Sequence, residues 1–362
     1  MRIHYQGRAV LNAILGLTTT AFILLYVNTI WRKRAVGGEA EKELDYFATV
    51  DSPLHWRCLG FRRNFIIADE RDGDMDIAFA LVVLRDPLQL ARLMRMLHSK
   101  NNYYCIHADL RSNQTFVDSL NGIVKCFGSN VELVPLSQSV MKYLINLVRQ
   151  DFLLRTNLKL VAALKALNGS NLIKSLPIDE HRHWVGNTKL PLGTTWYKGF
   201  IYGVYCREFL KGAILGEKVE PVRSIMLRHK AIQHPNELFF STLAFNLHLK
   251  LPGACQIAPL PSSKTSMNYL GNYVIWLSYD IPCNTKFVRL VCVLGKEHVH
   301  LLTKAPYPSA NKFYADYEQE AYNIIKRWYF EKVKMKKATS SYSNQQFDPS
   351  IYARLSCSRS HL

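Results

Sequence analysis

The residues of this chain best suited to chemistry are a few isolated carboxylates and cations. Asp72-Gly73-Asp74-Met75-Asp76 holds two overlapping Asp-x-Asp patterns. Such carboxylates can share a divalent cation when they close a core strand. Here they precede the first strand, so a solvated acidic loop is the better reading and no metal is expected. Glu237, in His234-Pro235-Asn236-Glu237, opens an amphipathic stretch. In the ordinary reading it complements the dipole of a helix N-terminus. In the chemical reading its carboxylate is a general base within reach of a hydroxyl proton. Asp109 stands just past a short apolar run, either as a helix-entry carboxylate or as an acceptor for a ribose or base. Arg289 sits between Val288 and Leu290, and Lys312 in Ala310-Asn311-Lys312-Phe313. Alternation alone would send Arg289 to solvent. Two such cations can also replace a metal beside a diphosphate leaving group. Cys283 and Cys292 bracket Arg289 nine positions apart. A bond between them would close a short hairpin-like loop, worth roughly 2–3 kcal/mol in closure entropy.

These residues need a scaffold, and the apolar pattern outlines one. Residues 77–84 (IAFALVVL) form a continuous apolar run, the mark of a strand buried on both faces. Asp86-Pro87 starts a helix whose Leu90, Met94 and Leu97 share one stripe. Residues 103–107 (YYCIH) predict a second strand. Ser112 is expected to cap a second helix carrying Phe116, Leu120 and Val124, with a third strand at 131–134. Strand, helix, strand, helix, strand implies an α/β fold with a mostly parallel sheet flanked by helices. C-terminal ends of such strands are where ligands bind, and Asp109 is at one. Residues 143–147 (YLINL) read as a further strand, only about eight residues after Val134. A parallel crossover takes roughly a dozen residues or more. Either this pair is antiparallel or a crossover helix is missing. Beyond it the pattern predicts a helix over 158–167, a polar loop-like stretch to about Pro191, and a strand over 200–206 followed by a helix from Glu208. Further helices are predicted over 236–249 and 314–332, with a strong strand over 287–294. From Met335 a Lys- and Ser-rich tail is expected to be loose.

With 48% hydrophobic residues the chain can bury a substantial core, which excludes a disordered polymer. Its net charge of +18 suits a phosphate-bearing substrate, a polyanion or an anionic membrane surface. Lys and Arg are dispersed and no nucleic-acid motif occurs, so nucleic acid is not expected as a partner. Residues 9–31 carry no charge and would span roughly 34 Å as a helix. Basic residues flank both ends, Tyr26 and Trp31 suit the interfaces, and no cleavage pattern precedes Arg32. The expected organisation is a cytoplasmic tail at 1–8, a transmembrane signal anchor at 9–31, a stem at 32–57, one catalytic domain at 58–334 and a tail at 335–362. The charge count does not fix the orientation. Sequons at Asn113 and Asn168, and eight cysteines without a zinc-like CxxC pair, favour a lumenal body.

Several stretches together resemble the core-2/I-branching β-1,6-N-acetylglucosaminyltransferase family, over about residues 58–334. They are IAFALVVLRDPLQLARLMRML, NNYYCIHADLRS, YLINLVRQDFLLRTN, HPNELFFSTL, the Cys283–Cys292 segment with VRLVC, and ANKF. The resemblance implies a single-pass type II membrane protein of the Golgi with a GT-A-like, metal-independent domain in the lumen. It implies transfer of GlcNAc from UDP-GlcNAc to the 6-hydroxyl of a galactose or GalNAc residue, with inversion and no cofactor. By motif, Glu237 matches the catalytic base, Arg289 and Lys312 the basic pair on the UDP diphosphate, and Asp109 the acidic residue at the uridine end. Trp276 matches an acceptor-stacking tryptophan. Cys58 with Cys126, and Cys283 with Cys292, match two family disulfides. Departures are also visible. Leu84 stands where a histidine is usual, Asn236 where aspartate precedes the catalytic glutamate, and Val148 where a cysteine is common. A helical segment expected before YLINL is missing, an internal deletion near 139–141 that removes the partner expected for Cys105. The acceptor-binding segment is shortened around 179–184. These departures motivate one rival, a catalytically impaired Golgi binding protein of the same fold. A second rival is a peptide xylosyltransferase-like enzyme, which shares the broad fold.

Overall fold

A computed structural model of the chain describes residues 46–64, 73–109, 111–133, 141–258, 269–279, 281–338 and 347–362. The run at 9–31 and most of the expected stem lie outside them. Among the described residues no helix is long and apolar enough to cross a membrane.

The centre is a six-stranded sheet in the order β3-β2-β1-β4-β7-β6. Its members are β1 (Ile77–Val83), β2 (Tyr103–Ala108), β3 (Val131–Leu133), β4 (Tyr143–Val148), β6 (Leu172–Pro177) and β7 (Tyr197–Cys206). Ile77, Phe79 and Leu81 are fully buried, and so is Ala78 on the opposite face, as a continuous apolar run predicts for a central strand. The first helix, Pro87–Leu97, starts at Asp86, whose carboxylate accepts from the Gln89 N–H at 3.0 Å. Leu90, Met94 and Leu97 are buried along it. The next helix, Gln114–Phe127, is capped by Asn113 and not by Ser112. Asn113 Oδ1 accepts from the Phe116 N–H at 2.9 Å, while the Ser112 hydroxyl donates to the Leu84 carbonyl at 3.3 Å. Phe47 and Val50, in the expected stem, are buried against this helix at Gly122.

The expected alternatives for residues 143–147 are resolved by the sheet order. β4 runs parallel to β1, with Ile77 opposite Tyr143, and β1 and β2 separate it from β3. The antiparallel reading is therefore wrong. Nine residues separate Leu133 from Tyr143. Residues 134–140 themselves lie outside the described set.

Three other expectations are corrected. The stretch expected to be a loop up to Pro191 holds β6, antiparallel to β7. Its Lys174 and Ser175 are both buried, so the strand lacks the apolar alternation that would have revealed it. The strong strand expected over 287–294 is two short strands, β9 (Phe287–Val288) and β10 (Val291–Cys292), joined as a hairpin. The expected loose tail is folded where it is described, at 335–338 and 347–362. The long helix runs from Gln319 to Ala338, and short helices follow at Ser350–Ala353 and Ser356–Arg359. Tyr352 is buried, with its hydroxyl donating to the Pro306 carbonyl at 2.6 Å. A Cys255–Cys357 disulfide and backbone bonds between Leu362 and residues 253–254 complete the attachment. The remaining disulfides are Cys58–Cys126 and Cys283–Cys292. A small sheet of β5 (Phe152–Leu153), β11 (Ser309–Asn311) and β8 (Tyr273–Val274) adjoins the end of β4.

Candidate active site

The chain builds β1, β2 and β3 outward to one side and then returns to place β4 on the other side of β1. This reversal makes a switch point at the C-terminal ends of β1 and β4, where open α/β sheets bind ligands. β7 runs antiparallel to β4, with Tyr143 opposite Cys206 and Asn146 opposite Gly203. Its first residues, including Lys198, therefore lie on the same edge as the end of β4.

Asp109 lies at this edge, its N–H bonded to the Val83 carbonyl at 2.8 Å. Both carboxylate oxygens are engaged at 2.8 Å by the Arg111 guanidinium, one by Nε and one by Nη2. These bonds hold the Asp109 carboxyl well below the usual carboxylate range. A ribose or base reaching Asp109 would share it with Arg111.

Lys312 follows β11 directly. The Leu294 N–H donates to its carbonyl at 2.8 Å, and the Phe313 N–H donates to Gln150 just beyond β4 at 2.9 Å. Lys312 is 8% exposed, and its ammonium donates to the Val288 carbonyl at 2.9 Å. Burial, then the nearby Arg289 charge, push its pKa down to about 8. Arg289 is not on a strand face. It and Leu290 form the two-residue turn of the β9–β10 hairpin, with φ of 51° and 64°. Such two-residue turns need positive φ and normally use glycine or asparagine. The turn leaves Arg289 exposed at the tip, tied at its base by Cys283–Cys292.

Trp276 is held beside that hairpin. The Leu277 N–H donates to Leu290 and the Cys292 N–H donates to Ile275, both at 2.9 Å. Its ring packs on Phe200 with centroids 5.2 Å apart. Phe200 in turn lies under the Lys198 ammonium at 4.6 Å. Lys198 pairs with Glu237 at 3.3 Å. Glu237 stands in the first turn of the helix Pro235–Phe245, anchored on β7 where Ser241 Oγ donates to the Tyr197 carbonyl at 2.9 Å. So Glu237 and Trp276 are linked through Lys198 and Phe200, and Trp276 adjoins the hairpin that carries Arg289 at its turn and receives the Lys312 ammonium at Val288. Asp109 lies two strands from β4 on the same edge, about 10 Å across the sheet.

Sequence reasoning missed two residues here. Lys198 sits in an otherwise apolar strand (YKGFIYGVYC), and that placement was the available signal. It is 6% exposed, and burial lowers its pKa while Glu237 raises it. The other is Asp151, whose carboxylate is fully buried. It accepts from the Val148 N–H at 2.6 Å, Asn272 Nδ2 at 3.0 Å and Asn311 Nδ2 at 2.9 Å. It thereby ties the end of β4 to β8 and to the residue before Lys312. Burial pushes its pKa up to about 7.

The acidic loop contributes an exposed Lys165–Asp74 pair at 2.5 Å, and Asp72 lies outside the described residues. Among the described residues, no group of three or more His, Cys, Asp or Glu is arranged to hold a metal. Asn168 and Asn113 are both exposed, and Asn113 uses its oxygen as a helix cap. The shortened segment at 179–184 is 3-10 helix broken by a kink at His181, and its Trp184 packs on His234 at 4.6 Å.

No protein-family model matches the chain. It is 27% identical over 311 residues to the human β-1,3-galactosyl-O-glycosyl-glycoprotein β-1,6-N-acetylglucosaminyltransferase, covering 70% of each. It is 28% identical to the mouse enzyme of that name numbered 4, covering 68% of this chain and 64% of the relative. The bovine enzyme is 26% identical, covering 72% of this chain and 71% of the relative. The chain thus spans about two thirds of the length of these relatives. By sequence it is a divergent relative of the core-2/I-branching β-1,6-N-acetylglucosaminyltransferases.

Proposed function

We propose that the chain transfers GlcNAc from UDP-GlcNAc to the 6-hydroxyl of a Gal or GalNAc residue in O-glycan or lactosamine acceptors, with inversion. The observation that carries this reading is the run of contacts from Glu237 through Lys198 and Phe200 to Trp276, beside the hairpin of Arg289 on which Lys312 is bonded, in a chain whose relatives are named for that reaction. Glu237 takes the acceptor hydroxyl proton as that oxygen attacks the anomeric carbon. The bond from that carbon to the β-phosphate oxygen breaks on the opposite face. Arg289 and Lys312 offset the charge gathering on departing UDP, so no divalent metal is required. Trp276 offers its face to the acceptor sugar, and Lys198 fixes the carboxylate of Glu237.

The test is transfer from UDP-GlcNAc to core-1 and lactosamine acceptors, with and without EDTA. Activity persisting in EDTA supports the cation pair, and its loss on chelation rejects it. Glu237→Gln is expected to lose about 10²–10⁴-fold in kcat. Full activity in that variant removes Glu237 as the base.

A second reading, a binding protein with the chemistry lost, draws on the two carboxylates already engaged inside the protein, Glu237 by Lys198 and Asp109 by Arg111. Calorimetry separates them, because UDP binding without turnover favours the second. In both readings the protein is anchored through residues 9–31 in the Golgi membrane with its body in the lumen. Three disulfides and two exposed sequon asparagines support an oxidising, glycosylating compartment. Glycosidase treatment that shifts the mass of the expressed protein tests this, and Asn113→Gln with Asn168→Gln should abolish the shift.

A further inference from the structure

β6 and β7 pair beside the candidate active site and bring Lys174 and Lys198 together. Both ammonium groups lie over the Phe200 ring, at 4.4 and 4.6 Å from its centre. Lys174 is 7% exposed and Lys198 6%. Buried cations are costly unless paired. Lys198 has Glu237. Among the described residues Lys174 meets no carboxylate, and its hydrogen bond goes to Tyr279 Oη at 3.3 Å. Among the described residues the two ammonium groups therefore share one direct carboxylate partner, Glu237.

Lys174 lines a small cavity with Trp276, Tyr279, Tyr307 and Asn272. Two further atoms here have no hydrogen-bond partner among the described residues, Trp276 Nε1 and Asn272 Oδ1, and Asn272 is 4% exposed. The cavity is thus lined by a lysine without a carboxylate partner among the described residues and by a tryptophan whose N–H has no hydrogen-bond partner there, between aromatic walls. Its volume of about 40 Å³ has room for about three water molecules, enough for a carboxylate or sulfate and too little for a sugar ring. Trp276 is also linked to Glu237 through Phe200 and Lys198.

We propose that this cavity receives an anionic substituent, a carboxylate or a sulfate ester, carried by the acceptor glycan, with Lys174 as its counter-charge. Lys174 is then a specificity-determining residue that makes the site select acidic acceptors over neutral ones. The assignment of the ligand as a glycan rests on the proposed function; the anion site rests on the buried Lys174 and the cavity that it lines.

The test is calorimetric binding of core-1 disaccharide, the same glycan bearing a carboxylate sugar, and the same glycan bearing a sulfate ester, to the full chain. Wild type is expected to bind at least one acidic form about 10- to 100-fold tighter than the neutral one. Lys174→Met, which keeps shape and removes charge, should bring the forms to equal affinity, while Lys174→Arg keeps the preference. Which acidic form wins identifies the anion. Equal affinities in wild type, or an undiminished preference in Lys174→Met, overturn the proposal. If Lys174→Met does not fold, the wild-type comparison decides by itself. Transfer is measured in parallel. Acid-selective binding without transfer upholds the anion site and rejects the transferase reading, and transfer without acid selectivity does the reverse.

Discussion

Lys312 is nearly buried, yet the proposed reaction needs it charged to hold a diphosphate. Its pKa of about 8 lies below the 10.5 of a free lysine. A base with a lowered folded pKa binds its proton less tightly when folded, so this group destabilises the fold below about pH 8. That penalty is relieved as pH rises toward 10.5. A bound diphosphate reverses the balance by favouring the charged form. UDP binding above pH 8 should therefore take up a proton, seen as buffer-dependent heat in calorimetry. Lys312→Met should abolish most of that uptake and weaken binding about 10- to 100-fold; uptake unchanged in this variant would exclude Lys312. Asp151 shows the opposite shift, upward from 3.8 to about 7. Its folded form holds the proton more tightly, so its contribution to stability declines as pH rises from about 4 to 7. Asp151→Asn would turn an amide donor toward groups that already donate to the carboxylate. A loss of about 1–3 kcal/mol is expected, with a flatter stability profile between pH 5 and 7.5 in thermal melts.

At the scale of elements, the β9–β10 hairpin carries strain in its turn. Leu290 adopts φ of 64° and is 61% exposed, so little packing offsets its left-handed backbone. Leu290→Gly should stabilise the fold by roughly 1 kcal/mol in chemical denaturation, leaving the Arg289 turn in place; a destabilised variant would show that the leucine side chain matters more than its φ. The helix Gln114–Phe127 presents the converse case. Alanine favours a helix over glycine by about 1 kcal/mol. Yet a Cβ at Gly122 would overlap the Phe47 carbonyl. Gly122→Ala should therefore destabilise by about 1–3 kcal/mol by forcing the N-terminal segment away. A rise in melting temperature would mean that Phe47 does not pack there.

The whole molecule is closed by its C-terminal segment. The Cys255–Cys357 bond spans 102 residues, and Leu362 exchanges backbone bonds with Gly253 and Ala254. Closing a loop of that size is worth about 4–5 kcal/mol on the chain-entropy account. Cys357→Ala is expected to lower stability by about 2–5 kcal/mol in denaturant titration. No measurable loss would leave the segment attached by packing alone.

The apolar runs and helical stripes specify the main sheet and its first two helices. IAFALVVL must be a central strand because both its faces need burial, and a stripe such as Leu90, Met94 and Leu97 works only as a helix. Glu237, Arg289, Lys312 and Asp109 were visible through local motifs for the same reason, since each motif is short. Their relationship was not. Whether Arg289 faced out from a strand or capped a hairpin depended on a turn paired through tertiary contacts. Lys174 and Lys198 carried no motif, and only the pairing of β6 with β7 buries them on one aromatic ring. The direction of β4 depended on β1, which lies more than sixty residues earlier in the chain. Sequence period reports which residues must leave water. Which of them then meet is decided by strand order and register, and these are set by contacts between segments remote in the chain.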